Sequence, residues 1–82
     1  MEKYIRVVDF APLLIDPNLA ESMVRRCSPQ EGEHLVFDLT GTKFASSSFF
    51  NQMFLSLRGF DWEIQGASPL QERLYKQARE CL

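Results

Sequence analysis

"HLVFDLTGTKFASSSFF", residues 34–50, decides how the chain folds. Its first half, His34–Thr40, is a nearly continuous apolar run broken by Asp38. A short run of this kind reads as a strand, and its near-continuity predicts cover on both faces, with helices on each side of the sheet. Gly41 marks a turn, after which Phe44 and Ala45 continue the chain across the sheet edge. Three serines follow, and then Phe49, Phe50, Met53, Phe54 and Leu57 recur at helical spacing. Serine runs ordinarily mark loops. A run that leads straight into an apolar helical stripe instead marks the helix start, where hydroxyls accept from backbone N–H groups that lack an intrahelical partner. Gly59 stands where a helix-ending glycine is expected.

Working outward, the N-terminal stretch Tyr4–Phe10 is rich in β-branched and aromatic residues and reads as a strand. The next residues, APLLI, show no periodicity and read as a loop or short extension. Asp16-Pro17 is a helix start: aspartate accepts from free N–H groups, and proline fits a position whose N–H is unpaired anyway. Leu19, Ala20, Met23, Val24 and Cys27 then share one face, and Ser28-Pro29 ends the helix before a polar turn around Gly32. From Asp61 to Gln65, Trp62 and Ile64 alternate with polar residues, the pattern of a half-buried strand. Gly66-Ala67 turns the chain, and Ser68-Pro69-Leu70-Gln71 opens a last helix with Leu70, Leu74, Tyr75, Ala78, Cys81 and Leu82 as its stripe.

The order strand–helix, three times over, predicts a single α/β domain over residues 1–82, βαβαβα, with a mainly parallel sheet and amphipathic helices. Val7, Leu35, Phe37, Met53, Ile64 and Leu74 are expected in one core. At 82 residues one domain is the prior, and roughly 60% of the unfolded chain's surface is buried on folding.

A net charge of −2 with no lysine or arginine run argues against a nucleic-acid partner. No apolar run approaches the roughly 20 residues of a membrane span, and the N-terminus lacks signal-peptide architecture, so a cytoplasmic location is the expectation. Cys27 and Cys81 lie far apart, no CxxC occurs and His34 is the sole histidine, so neither metal nor cofactor is expected and both cysteines read as small core residues. No nucleophile–base pair, paired catalytic carboxylates or phosphate-cradling glycine loop is visible, which argues against an enzyme. His34 reads as a surface residue ahead of the strand, and Asp38 as a turn-satisfying carboxylate with a ligand or catalytic role as the alternative.

Residues 34–50 resemble the central segment of STAS domains, the anti-sigma-factor-antagonist family. Leu35–Leu39 is similar to that family's apolar strand ending in Asp-Leu, and Phe44 to the apolar residue before its serines. Ser47 falls on the family's phosphorylatable serine, whereas Ser46 stands where the family usually has aspartate and Phe49 where it has glycine. "RGFDWEIQGASPLQERL", residues 58–74, resembles the family's next strand, turn and Ser-Pro helix start. The resemblance covers residues 34–82 well and the first 33 loosely, and is nearest to an uncharacterised STAS-like subgroup with the Phe-containing version of the motif.

The resemblance implies a non-enzymatic regulatory module that binds a protein partner, a kinase or an anti-sigma-like regulator, through the surface around that serine. It also implies that phosphorylation breaks the contact. Ser46, Ser47, Ser48, Phe49, Phe50 and Asp38 are the candidate phosphoacceptor and partner-binding residues. The bland alternative is that Ser46 or Ser47 is a plain helix cap and that both phenylalanines are core. Two other functional readings stand beside these: a small-molecule or nucleotide binder that uses the helix N-terminus as an anion site, and a constitutive homodimer.

Overall fold

The computed structural model describes residues 2–11 and 13–80. The placement of Cys81 and Leu82 on the last helix's stripe lies outside the described residues. The elements run β1 (Glu2–Arg6), a 3-10 turn (Val7–Asp9), β2 (Leu13–Leu14), α1 (Pro17–Cys27), β3 (His34–Asp38), β4 (Lys43–Ala45), α2 (Ser47–Ser56), β5 (Asp61–Gln65) and α3 (Pro69–Glu80). Strands β1, β3 and β5 form a parallel sheet in that order, each joined to the next through a helix. This is the α/β, βαβαβα plan. The first strand ends at Arg6, because Val7–Asp9 winds into a 3-10 turn from which Phe10 and Ala11 donate back to Val7 O.

Two caps read from sequence are built as expected. Asp16 Oδ1 accepts from Asn18 N at 2.9 Å ahead of Pro17. Ser68 and Gln71 form a reciprocal capping box: Gln71 N donates to Ser68 Oγ at 3.2 Å, and Ser68 N donates to Gln71 Oε1 at 3.0 Å. Helix α1 ends at Ser28, whose left-handed backbone lets its N–H reach Arg25 O.

The expectation of helices on both sides of the sheet is corrected. Ile5, Leu35 and Phe37 join the buried residues of all three helices in one core, with Trp62 and Ile64 packed against it. Val7 and Met53 belong to the same core, and Leu74 packs on it. Helix α2 packs against both α1 and α3. The alternate positions point the other way: Glu2, His34 and Asp61 lie in one row, Tyr4, Val36 and Glu63 in the next, Arg6, Asp38 and Gln65 in the last. Among the described residues this second face carries no helix, and six of its nine side chains are exposed. The run in β3 looked continuous because Val36, on the open face, is only 3% exposed, shaded between Tyr4 and Glu63 on the flanking strands.

An aromatic line fills the core. Phe49 and Phe50 meet edge to face at 5.8 Å, Phe50 stacks on Phe54 at 6.1 Å, and Phe54 on Trp62 at 4.7 Å. Tyr75 of α3 meets Phe50 at 6.0 Å, and the Arg79 guanidinium covers Trp62 at 4.9 Å. Leu70 departs from the expected stripe of α3 and is exposed. It sits at the first turn of α3, two residues after the cap.

Candidate functional site

The serine run lies where a second, two-stranded sheet meets α2. Leu13 pairs with Lys43 and Leu14 with Ala45, so β2 and β4 run parallel beside the helix start. Neither strand is long enough to show a period, so the sequence gives APLLI no signal. Ser46 N donates to Leu14 O at 2.8 Å, which fixes the serines to β2.

Each serine has a distinct place. Ser46 is the N-cap: its backbone is extended and its Oγ accepts from Phe49 N at 3.3 Å. The same hydroxyl lies 3.4 Å from both Leu14 O and Ile15 O. Ser47 and Ser48 are the first two helical residues, and both are exposed. Capping therefore falls on Ser46 and leaves the Ser47 hydroxyl free of that duty. Phe49 and Phe50 are fully buried. Their rings form the core beneath the serines, and a partner reaching the surface does not touch them. A strand-covering helix must turn at least one ring inward. Here both go inward, because α2 lies between α1 and α3 and is buried on two sides.

Phe44, expected only to continue the chain across the sheet edge, stands at the surface beside the serines. Its ring is 71% exposed and its backbone is left-handed, at φ +58°. Left-handed backbone costs a residue with a Cβ about 1–2 kcal/mol, and a bulky aromatic rarely adopts it. Leu13, paired with its neighbour Lys43, and Ile15, whose carbonyl faces Ser46, are also exposed. An apolar rim thus flanks the exposed serines.

The segment is braced from behind. Buried Gln71 donates from Nε2 to Thr42 Oγ1 at 2.9 Å and lies 3.4 Å from Phe44 O. Thr42 Oγ1 in turn donates to Leu39 O at 2.6 Å. No buried side-chain polar atom is left without a partner among the described residues.

Asp38 is occupied elsewhere. Its Oδ1 accepts from Thr40 N at 2.9 Å and Thr40 Oγ1 at 2.6 Å, and Oδ2 accepts from Tyr4 OH. The Thr40 hydroxyl, then Tyr4 and the Thr40 N–H, hold its carboxyl below the usual range. The same contact pushes the Tyr4 phenol up, because its proton is held by the carboxylate. This is a turn-satisfying aspartate, and no hydrogen bond joins it to the serines among the described residues. Burial pushes the Cys27 thiol up, which suits its place in the core.

No protein-family model, curated protein or solved structure matches the chain. The likeness to STAS domains rests on the residues quoted above.

At the opposite end of the open sheet face, the first residues of three strands converge. His34 Nδ1 lies 2.8 Å from Asp61 Oδ2 and Nε2 lies 2.7 Å from Glu63 Oε1. Hydrogen bonds to Glu63, then Asp61, push the imidazole pKa up. Glu2, His34 and Glu63 are the described residues that can offer ligand atoms to one cation. His34 was expected before the strand and is instead its first residue.

Proposed function

We propose that this chain is a STAS-like, non-enzymatic protein-interaction module. Its partner, of the kinase or anti-sigma-regulator kind, docks on the rim of Leu13, Ile15, Phe44, Ser47 and Ser48. The observation that carries this reading is Phe44. Its exposed ring adds little burial to the fold and its backbone is strained, so its contribution lies at the surface. Exposed aromatics beside exposed hydroxyls fit an interface core with a polar rim.

Phosphorylation of Ser47 supplies the switch. A phosphate at the first helical position meets the unpaired N–H groups and the positive end of α2, so the fold tolerates it. It also brings about 1.5 to 2 negative charges into the rim, which ejects an apolar partner surface. Affinity capture from host lysate tests this, with every protein checked for folding by circular dichroism. Wild type and Ser47→Ala are expected to retain the same partner and Ser47→Asp to lose it. Equal recovery by a folded Ser47→Asp protein removes the switch. The same rim fits a second copy of the chain, and light scattering across concentrations separates that reading.

A further inference from the structure

The open face of the sheet gathers one imidazole and three carboxylates at the N-terminal ends of its strands. Parallel register sets Glu2, His34 and Asp61 in a single row, and Glu63 follows Asp61 on the same face. Among the described residues, none of the three carboxylates is paired with a lysine or arginine. The group therefore carries excess negative charge whichever protonation state the imidazole takes.

The ring is held at both nitrogens. Nδ1 lies 2.8 Å from Asp61 Oδ2 and Nε2 lies 2.7 Å from Glu63 Oε1. In the imidazolium both N–H groups donate to carboxylates, and in the neutral ring with Nδ1–H held by Asp61 the Nε2 lone pair faces Glu63 Oε1. Two lone-pair atoms that close require a proton or a cation between them. A carboxylate that holds one imidazole nitrogen while the other is aimed at further carboxylate oxygens is an arrangement that can orient histidine toward a metal, here with Asp61 on Nδ1 and Glu63 beside Nε2. Ligand atoms of Glu2, His34 and Glu63 all lie within 4.8 Å of one another. Tetrahedral Zn2+ needs neighbouring ligand atoms about 3.3 Å apart, so the 2.7 Å Nε2–Glu63 Oε1 pair must open slightly and the remaining ligand atoms adjust, changes within reach of rotations of two exposed glutamates.

We infer that Glu2, His34 Nε2 and Glu63 bind a divalent transition-metal cation of the Zn2+ class on the open sheet face, with Asp61 as the positioning residue for the imidazole. The donor set selects the metal. One nitrogen and two carboxylate oxygens suit Zn2+ and its first-row neighbours, whereas Ca2+ requires six to eight oxygens and Mg2+ favours oxygen and water. Three protein ligands leave a fourth position for water or for a donor from another molecule. The site is distinct from the rim at Phe44 and does not depend on it.

The test is Zn2+ titration by calorimetry into the full chain carrying Cys81→Ser, which removes a competing thiol. Because His34 is the sole histidine, nitrogen-15 spectra of the imidazole report on one ring. One Zn2+ per chain is expected, with Nε2 shifted on binding and Nδ1 still protonated. Glu63→Gln and Glu2→Gln should each weaken binding about tenfold or more, His34→Gln should abolish it, and Asp61→Asn should weaken it by about 10–100-fold. Ca2+ should not compete. Failure of the unsubstituted site to bind Zn2+ at millimolar concentration, ligation through Nδ1, or affinity unchanged in Glu63→Gln overturns the assignment. The imidazole spectra need no variant that disturbs the sheet.

Discussion

Gln71 Nε2 donates to Thr42 Oγ1 at 2.9 Å, joining the first turn of α3 to the residue just ahead of β4, the strand that carries Phe44. The same amide accepts from Ser68 N through Oε1 and completes the capping box. One buried side chain thus serves both the helix start and the brace behind the proposed docking rim. Ser68→Ala should destabilise by about 1 kcal/mol through the lost cap. Gln71→Ala should cost about 1–3 kcal/mol, because it also strands the Thr42 side of the chain of hydrogen bonds. The two share the capping box, so the double variant should lose less than the sum. Urea denaturation of the four proteins measures this, and strict additivity counts against the shared cap.

Gly66 sits in the turn after β5 with φ +72°, and a Cβ there would run into Asp38 Oδ1 and Thr40 Oγ1 and lie 3.0 Å from Thr40 N. All three atoms belong to the Asp38–Thr40 turn, where both Thr40 N and Thr40 Oγ1 donate to Asp38 Oδ1, so moving any of them disturbs those hydrogen bonds. Gly66→Ala is expected to destabilise by about 1–3 kcal/mol. An unchanged thermal midpoint would show that the turn relaxes freely.

Asp38 fixes the acid limb of stability. Its carboxyl is held low in the folded chain by the Thr40 hydroxyl, Tyr4 and the Thr40 N–H. A depressed folded pKa means that the stabilisation is fully present above the unfolded carboxyl range, near about 4, and is lost as pH falls through the lower folded value. Asp38→Asn should therefore lower the thermal midpoint at neutral pH and flatten its fall in acid. Tyr4→Phe should produce part of the same change, since it removes one of the three donors. Parallel acid limbs for wild type and Asp38→Asn contradict this.

Much of the fold was legible because its signals are local. Asp16-Pro17 and Ser68–Gln71 announce two helix starts within four residues each, and the alternation of Trp62 and Ile64 shows a strand with one wet face. What escaped depends on long-range pairing. Strands β2 and β4 are too short for a period and exist only because they pair with each other. The open sheet face was hidden by Val36, whose burial comes from neighbours on other strands. The His34 cluster needs the register of three strands, and no spacing along the chain announces it. At the serines, sequence placed a helix start correctly but left the cap between two residues, and hydrogen-bond geometry assigns it to Ser46. Phe44 was missed as a surface residue because a left-handed backbone is usually flagged by glycine or asparagine, and an aromatic gives no such signal.

Phe44 separates binding from stability more sharply than any other position. Asparagine tolerates left-handed backbone, so Phe44→Asn relieves strain while leaving the Phe44 carbonyl position and the Gln71 brace in place. The most direct measurement is therefore made on this variant and wild type together: denaturation midpoint, and recovery of the captured partner from host lysate. The expected result is a midpoint equal to or above that of wild type, by up to about 1 kcal/mol of stability, together with loss of the partner. A variant that captures the partner as well as wild type, or one that loses stability, contradicts the docking surface and returns Phe44 to the fold.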